Sequence, residues 1–144
     1  MKMDKKGVTL LELVVVFAII AVGAVLTIPN IGPFLENYRL RTATRDITSM
    51  LRTAQMRAVS NNVNCQVLFD VGAGSYVLKR DTGGGPFNDG ATQLLPKGIA
   101  MVVGNNPVTF SPNSSSNGGS VQLSNTKNTK TITVLPSTGR ISVQ

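Results

Sequence analysis

The ionisable residue that most needs a chemical explanation is Glu12, because it stands in an otherwise apolar segment. Residues 13–35, which follow it, contain no charged side chain. A carboxylate at the centre of a lipid bilayer costs about 2.5–3.5 kcal/mol on insertion scales, so such a residue normally has a charged partner. A cut after Gly7 would create one, because the α-amine of Val8 would lie about one helical turn from Glu12 of the same chain or of a neighbouring copy.

Three ordinary explanations of the apolar segment are weighed against this one. A secretory signal has an apolar core of about 7–15 residues and a small-residue cleavage site after it. Here the run is longer, contains Glu12 and is followed by Pro29 and Asn30. A single-pass anchor with an accidental glutamate and a buried helix of a soluble protein are the other two. Residues 8–28 would form a helix of about 31 Å, close to the roughly 30 Å of a hydrocarbon core, which favours a membrane-spanning segment.

The residues around Gly7 resemble a known sorting signal. Lys5 and Lys6 precede Gly7, Val-Thr-Leu-Leu-Glu follows it, and about twenty apolar residues come next. This pattern is similar to the class III signal of type IV pilins and type II secretion pseudopilins. The resemblance implies that a prepilin peptidase cuts after Gly7 and methylates the new N-terminus at Val8. It also implies that Pro29 lies at the usual helix kink of that family.

The composition argues against most enzymatic functions. The 144 residues fit one domain and carry a formal net charge of +7, and loss of residues 1–7, with three lysines and one aspartate, would leave +5. The chain has no histidine, the usual general base and the commonest metal ligand. Its one cysteine, Cys65, is expected to be a small buried strand residue. Asp81 and the segment 88–90 bring too few carboxylates together for calcium, so we expect no metal, no cofactor and no catalysis.

The apolar residues predict an amphipathic helix over residues 34–61 that ends at Asn61, followed by an asparagine suited to a left-handed cap. Pro29 and Pro33 are expected to bend or interrupt the helix before it. The apolar stripe is Leu40, Ala43, Ile47, Leu51, Ala54 and Ala58. The opposite face carries Arg41, Arg45, Thr48 and Arg52. We therefore expect one face to pack on a domain and the other to meet water or a neighbouring subunit.

The rest of the chain predicts short strands separated by turns. The strands are expected near residues 63–69, 76–79, 93–95, 99–103, 108–110, 121–123, 131–135 and 141–143. Residues 82–90 and 112–120 are expected to be loops, the second of them mobile. One long helix followed by six to eight strands is an α+β fold, with the N-terminal helix packed on an antiparallel β domain. The expected parts are a leader (1–7), a membrane stem (8–34), an amphipathic helix half (35–61) and a β-rich domain (62–144).

The whole chain resembles the GspH/FimT-like group of minor pseudopilins and minor pilins, a pilin-like fold. The leader, the Arg- and Ala-rich helix segment 40–58 and the turn at 137–141 carry this likeness. It implies a subunit that assembles into or caps a filament with other pilin subunits, after the peptidase and an inner-membrane assembly platform have acted on it. The leader lysines favour a cytoplasmic N-terminus. The expected location is therefore the bacterial inner membrane, with one span and a periplasmic C-terminal domain.

Two alternative functions remain open on the sequence. Some FimT-like minor pilins are implied in DNA uptake through a Gly-Arg-x-Arg motif, which here reads Gly139-Arg140-Ile141-Ser142. Arg140 with Lys127 and Lys130 would be the DNA contacts, although phosphate binding needs clustered charge and no aromatic residues interleave for base stacking. The other alternative is a major structural pilin, which abundance in purified filaments would reveal.

Overall fold

The computed structural model of the chain describes residues 8–27 and 31–144. Within those residues two helices are followed by nine strands. The helices are α1 (Leu10–Thr27) and α2 (Ile31–Asn61). The strands are β1 (Asn64–Asp70), β2 (Ser75–Asp81), β3 (Pro86–Asn88), β4 (Gln93–Leu94), β5 (Ala100–Val103), β6 (Val108–Phe110), β7 (Gly119–Ser124), β8 (Thr129–Val134) and β9 (Ile141–Val143).

Helix α2 forms one side of the hydrophobic core. All six residues of the predicted apolar stripe are at most 3% exposed, which confirms the period read from the sequence. They belong to one buried cluster with Val67 of β1, Phe110 of β6, Leu123 of β7 and Ile132 of β8. The core is therefore a helix face packed on strands from both halves of the β region.

The strands form two antiparallel sheets. In the first sheet the order is β3-β2-β1-β6, and β4 also pairs with β2. In the second the order is β5-β7-β8-β9, which places β9 at an edge. Residues 71–74 form the hairpin turn that joins β1 to β2, and the turn at residues 136–139 lies between β8 and β9. The predicted α+β class, a long N-terminal helix packed on an antiparallel β domain, is confirmed.

The segment 82–90 differs from the sequence-based prediction. Its composition predicts a glycine-rich loop, but Pro86–Asn88 form β3, which pairs with the end of β2. The Arg80 guanidinium lies over the ring of Phe87, 5.2 Å from its centroid, and this cross-strand contact supports the pairing. Proline is tolerated because β3 is an edge strand. Local composition does not predict such a strand, because β3 is stabilised by its pairing with β2.

The two ends of α2 follow different rules. At its C-terminal end the next residue, Asn62, has a φ of 54°, the left-handed conformation that asparagine tolerates, so the helix ends as predicted. At its N-terminal end Pro33 lies in the first turn. The backbone N–H groups of a first turn have no intrahelical partner, so α2 continues through this proline without an interruption. Pro29, the other predicted kink, lies outside the described residues.

The chain divides into two compact units between Leu35 and Glu36. The first unit contains α1. The second, Glu36–Gln144, contains the hydrophobic core, because every buried hydrophobic side chain among the described residues lies between Leu40 and Val134. The candidate residues at the N-terminus and those of the β region therefore belong to different units.

Candidate assembly site and nucleic-acid site

Thr9 caps the N-terminus of α1, next to Glu12. The Glu12 backbone N–H donates to Thr9 Oγ1 at 3.2 Å, and the Leu13 N–H donates to the Thr9 carbonyl oxygen at 3.2 Å. The hydroxyl thereby satisfies one of the donors that a helix N-terminus leaves without a partner. The helix dipole also favours a carboxylate in this first turn. Glu12 therefore lies at the end of α1 where negative charge is best tolerated, and both Glu12 and Val8 are exposed.

The capping role of Thr9 is a feature that the sequence analysis missed. Thr9 and Glu12 have the Ser/Thr-x-x-Glu spacing of a capping box, a signal that could have identified the start of α1. The capping box is therefore a local, structural reason for a glutamate at position 12. Any test of an intermolecular role must separate it from this local one.

Helix α1 exposes a broad apolar surface. Every side chain from residue 8 to residue 24 is exposed, including Leu10 at 81% and Phe17 at 62%. Apolar exposure on this scale marks a surface that interacts with protein or membrane. None of the helices in the described part of the chain combines the length and the apolar character needed to cross a membrane. The predicted processing residue Gly7 lies outside the described residues, as Pro29 does.

The turn that carries Arg140 is held against α2 by Gln55. The Gln55 Nε2 group donates to the Thr138 carbonyl oxygen at 3.3 Å and to Ser114 Oγ at 2.9 Å. Gly139 is buried here with a φ of 59°, and a Cβ at this position would lie 2.7 Å from Gln55 Nε2 and overlap the Ser114 carbonyl oxygen. The glycine of the Gly-Arg pair is thus required by packing and backbone conformation, while the Arg140 side chain is exposed.

Lys127 lies in the turn between β7 and β8, and this turn is bonded to the beginning of α2. The Thr126 hydroxyl donates to Glu36 Oε2 at 2.7 Å, and Asn128 Nδ2 donates to Asn37 Oδ1 at 2.7 Å. The backbone of the turn is therefore positioned by polar contacts on both sides of Lys127. The lysine side chain itself is exposed.

Lys130 lines a groove between α2 and β9. The groove has a volume of about 470 Å³, and an adjoining one of about 470 Å³ continues along α2. The charged residues along the two are Arg41, Arg45, Arg52 and Lys130. Val143 lines both, and Tyr38 lies at the end nearer the start of α2. The arginines that the sequence places on one helix face thus meet a lysine from the sheet, and we call this continuous feature the β9 groove.

The structure does not bring the three predicted DNA contacts together. Arg140 lies beyond the C-terminal end of β8. The Leu135 N–H donates to the Arg140 carbonyl oxygen there, at 3.0 Å. Lys130 is near the other end of that strand. Five residues of extended chain span about 17 Å, so Arg140 is separated from Lys127 and Lys130. Lys130 instead shares the β9 groove with the arginines of α2.

Asp89, which the sequence raises as a weak cation ligand, is paired with two arginines. Its Oδ2 lies 2.8 Å from Arg57 Nη1 and its Oδ1 lies 3.6 Å from Arg80 Nη2. Arg57 also donates to the Asp89 carbonyl oxygen at 3.0 Å. In the described part of the chain no group of three or more His, Cys, Asp or Glu side chains is placed to hold a metal ion. The carboxylate joins α2 and β2 to the segment after β3.

Two titratable side chains of the core, Cys65 and Tyr76, have raised pKa values. Cys65 is buried on β1, as predicted, and burial raises the pKa of its thiol, with the charge of Asp89 raising it further. A thiol with a raised pKa stays neutral and is a poor nucleophile. Burial also raises the pKa of Tyr76, and Asp46 adds to the effect. Neither group is prepared for acid–base chemistry near neutral pH.

Comparison with known protein families gives two matches. The family model described as "Type II transport protein GspH" matches residues 43–138, two thirds of the 144 residues. The chain belongs to the GspH family. A second model, the prokaryotic N-terminal methylation motif, matches residues 2–28. The GspH-family domain and the methylation signal therefore occur together in one chain, as the resemblance found in the sequence implied.

Solved structures share the fold of this GspH-family chain. The minor pseudopilin EpsH from the type 2 secretion system of Vibrio cholerae has a TM-score of 0.65 at 8% identity, covering 74% of this chain and 96% of that one. The type IV minor pilin FimU of Pseudomonas aeruginosa has a TM-score of 0.62 at 15% identity, covering 78% and 92%. At these identities the likeness shows the fold alone. A comparison with curated protein sequences found no significant match.

Membership of the GspH family establishes a general class of function. The family consists of pseudopilins and type IV pilins, which are structural subunits of filaments and not a class of enzymes. Proteins with this N-terminal motif are processed by a prepilin peptidase and are typically anchored in a membrane. The predicted pseudopilin and pilin family is confirmed.

Proposed function

We propose that this GspH-family chain is a minor pseudopilin or minor pilin that assembles into, or caps, a periplasmic filament of a type II secretion system or a type IV pilus. Prepilin peptidase cuts between Gly7 and Val8, and an inner-membrane platform lifts the mature chain into a filament of other pilin subunits. Residues 8–34 form a single-pass stem in the bacterial inner membrane. Residues 35–61 and 62–144 form the periplasmic domain, and no residue has a catalytic role.

One observation carries this proposal: α1 presents an apolar surface with a single carboxylate in its first turn. A soluble monomer rarely leaves such a surface in water. Lipid would cover it before assembly, and the α1 helices of adjacent subunits would cover it within a filament. Both environments raise the free energy of Glu12 unless a positive charge lies beside it.

The partner that we propose for Glu12 is the α-amine of Val8 on an adjacent subunit. The Thr9 hydroxyl accepts a bond from the Glu12 backbone, and the helix dipole favours the carboxylate, but neither neutralises its charge. An amine at an adjacent N-terminus would do so. Removing one partner of an ion pair in apolar surroundings leaves the other charge uncompensated, at a cost of about 3–5 kcal/mol.

The test separates charge pairing from helix capping by comparing three substitutions in the full chain. Glu12→Gln retains a side chain that fits the capping box but removes the charge, and Glu12→Val removes both features. Thr9→Ala removes the capping hydroxyl and keeps the charge. We expect both Glu12 variants to remain in membranes but to fall at least tenfold in sheared filaments, because tenfold corresponds to only about 1.4 kcal/mol. Thr9→Ala should retain most of the incorporation.

Quantitative mass spectrometry of filaments and membranes measures all three variants and also reads the mature N-terminus. The wild-type chain should begin at a methylated Val8. Wild-type incorporation of Glu12→Gln would contradict the pairing while leaving the filament assignment intact. A mature chain that begins beyond residue 28 would contradict the assignment itself, because α1 would then be absent.

A further inference from the structure

The β9 groove contains cations that form no ion pair with any carboxylate of the described residues. Arg41, Arg45, Arg52 and Lys130 are all exposed and line it. Among residues 8–27 and 31–144, the ion pairs are those of Asp89 with Arg57 and Arg80, so none of the four groove cations takes part in one. Cations gathered in one concavity attract an anionic partner and raise its local concentration.

The same groove adjoins a free sheet edge. Among the strands of the described residues, β8 is the one that pairs with β9. Thr131 and Gln144 exchange two backbone bonds, at 3.0 and 2.9 Å. Because bonded and non-bonded pairs alternate in an antiparallel ladder, the N–H and C=O groups of Ile141 and Val143 point away from β8. An edge of this kind accepts another extended strand.

The cations and the edge face the same space. Val143 lines both parts of the groove together with residues of α2, so its side chain faces the helix while its backbone faces outward along the edge. A strand added to β9 would lie about 4.8 Å further out, beside the flank of α2 that carries the arginines. From Tyr38 to Arg52 the helix rises about 21 Å, enough to cover about six residues of extended chain.

We propose that the β9 groove binds an extended acidic peptide segment of another protein, which adds to β9 as a further strand. Alternate side chains of the added strand would point toward α2, where carboxylates would meet the groove arginines in charge-assisted bonds. This inference goes beyond the proposed filament role and does not depend on Glu12.

Two other occupants fit the groove less well. A nucleic acid would satisfy the cations, but its phosphodiester backbone has no N–H group for the outward carbonyls of Ile141 and Val143. A second copy of this chain would bring like charge, because residues 36–144 contain eleven Lys and Arg against five Asp and Glu. An acidic peptide complements both the charge and the hydrogen-bonding edge.

The test uses the full chain in detergent micelles and a fluorescent eight-residue peptide of alternating Glu and Thr, with anisotropy as the readout. Its comparison probes are a Lys-Thr peptide, the Glu-Thr peptide with N-methyl groups on alternate backbone nitrogens, and a twelve-residue oligothymidine. We expect the Glu-Thr peptide to bind most tightly and the N-methylated peptide to lose at least tenfold. The binding should weaken as salt is raised.

Protein variants locate the site. Arg41→Gln and Arg45→Gln should each weaken Glu-Thr binding about two- to fivefold, the range for one exposed charge pair. Arg140→Gln is the control for the loss of one positive charge, at an exposed arginine that does not line the groove, and should weaken binding less than Arg45→Gln. Val143→Pro removes a donor that points away from β8, so it should weaken binding at least tenfold while preserving the β8–β9 ladder.

Four outcomes would each overturn the proposal. The first is failure of the Glu-Thr peptide to bind, and the second is equally tight binding of its N-methylated form. The third is that Arg140→Gln weakens binding of the Glu-Thr peptide as much as Arg45→Gln does. The fourth is that the oligothymidine binds more tightly than the Glu-Thr peptide. The last would make the groove a nucleic-acid site. Should Val143→Pro lose its native circular dichroism, the N-methylated peptide tests strand pairing without any change to the protein.

Discussion

Gly139 and Gly74 have nearly the same backbone conformation but different surroundings. Their φ values are 59° and 60°, both in the left-handed region that favours glycine. A Cβ added at Gly74 would meet no atom within 4 Å, whereas one at Gly139 would crowd Gln55 and Ser114. Gly139 therefore has a packing role in addition to a conformational one. The glycine beside Arg140 is explained by the contact of its turn with α2, whatever Arg140 does.

The pair allows a matched test by urea unfolding at 25 °C. Gly74→Ala should lower the free energy of unfolding by about 1–2 kcal/mol, the penalty for a left-handed alanine. Gly139→Ala should lower it by about 1–3 kcal/mol more, because its methyl group must displace the Gln55 side chain or the Ser114 backbone. Equal losses in the two variants would show that the contact with Gln55 contributes nothing.

Helix α2 contacts several separate parts of the β region. Its buried face forms one side of the core, Gln55 donates a hydrogen bond to the turn before β9, and Arg57 pairs with Asp89 after β3. Asp89 also reaches Arg80 on β2, so one carboxylate separates two guanidinium groups. Its side chain is 17% exposed while that of Arg57 is 40% exposed, so solvent screens the pair in part.

Asp89→Ala should lower the free energy of unfolding by about 1–2 kcal/mol. Its loss leaves Arg57 and Arg80 close together without a counter-charge, and bonds to charged groups contribute about 1.5–3 kcal/mol before screening. Asp46→Ala is the control, since Asp46 is an exposed carboxylate of α2 outside the ion pairs of the described residues, and it should change stability by less than about 0.5 kcal/mol. Urea titrations of both variants measure the difference, and equal effects would contradict a specific role for Asp89.

The chain consists of two compact units: the first contains the exposed apolar helix α1, and the second contains the hydrophobic core. The buried hydrophobic residues of the described chain all lie within Glu36–Gln144. The positive charge of that unit is spread over the β9 groove, the β7–β8 turn and the turn of Arg140. Such a distribution supports weak, non-specific attraction to nucleic acid and offers no compact phosphate site around Arg140.

We therefore expect the fragment 36–144 to fold without the preceding residues and to bind DNA only weakly. Circular dichroism and urea unfolding should show a cooperative transition, and anisotropy with duplex DNA should give a Kd of about 10⁻⁴ M or weaker near physiological salt. Arg45→Gln should reduce this binding more than Arg140→Gln, because Arg45 shares its groove with other cations. Micromolar binding that Arg140→Gln abolishes would identify a DNA receptor.

Several features followed from local sequence because their causes are local. The 3.6-residue period of α2 placed all six stripe residues in the core, and Asn61 with Asn62 located the helix end. The basic leader, Gly7 and Glu12 resembled the signal of pilins and pseudopilins, and the segments 40–58 and 137–141 extended that resemblance to the GspH-like group, to which the comparisons assign the chain. Each of these signals depends on residues within a few positions of one another, so it can be recognised from the sequence without knowledge of the fold.

Other features depend on contacts between residues that are distant in sequence, so the sequence alone did not predict these features. Strand β3 pairs with β2, where Phe87 contacts Arg80; Asp89 forms an ion pair with Arg57 of α2; and Gly139 packs against Gln55. Lys130 and the helix arginines are separated along the chain by the seven strands β1 to β7. They share a groove because the core packs β8 and β9 beside α2, and that packing also left Arg140 away from them. Residue types and local periods predicted the fold class, but the placement of charge was set by which surfaces the hydrophobic core brought together.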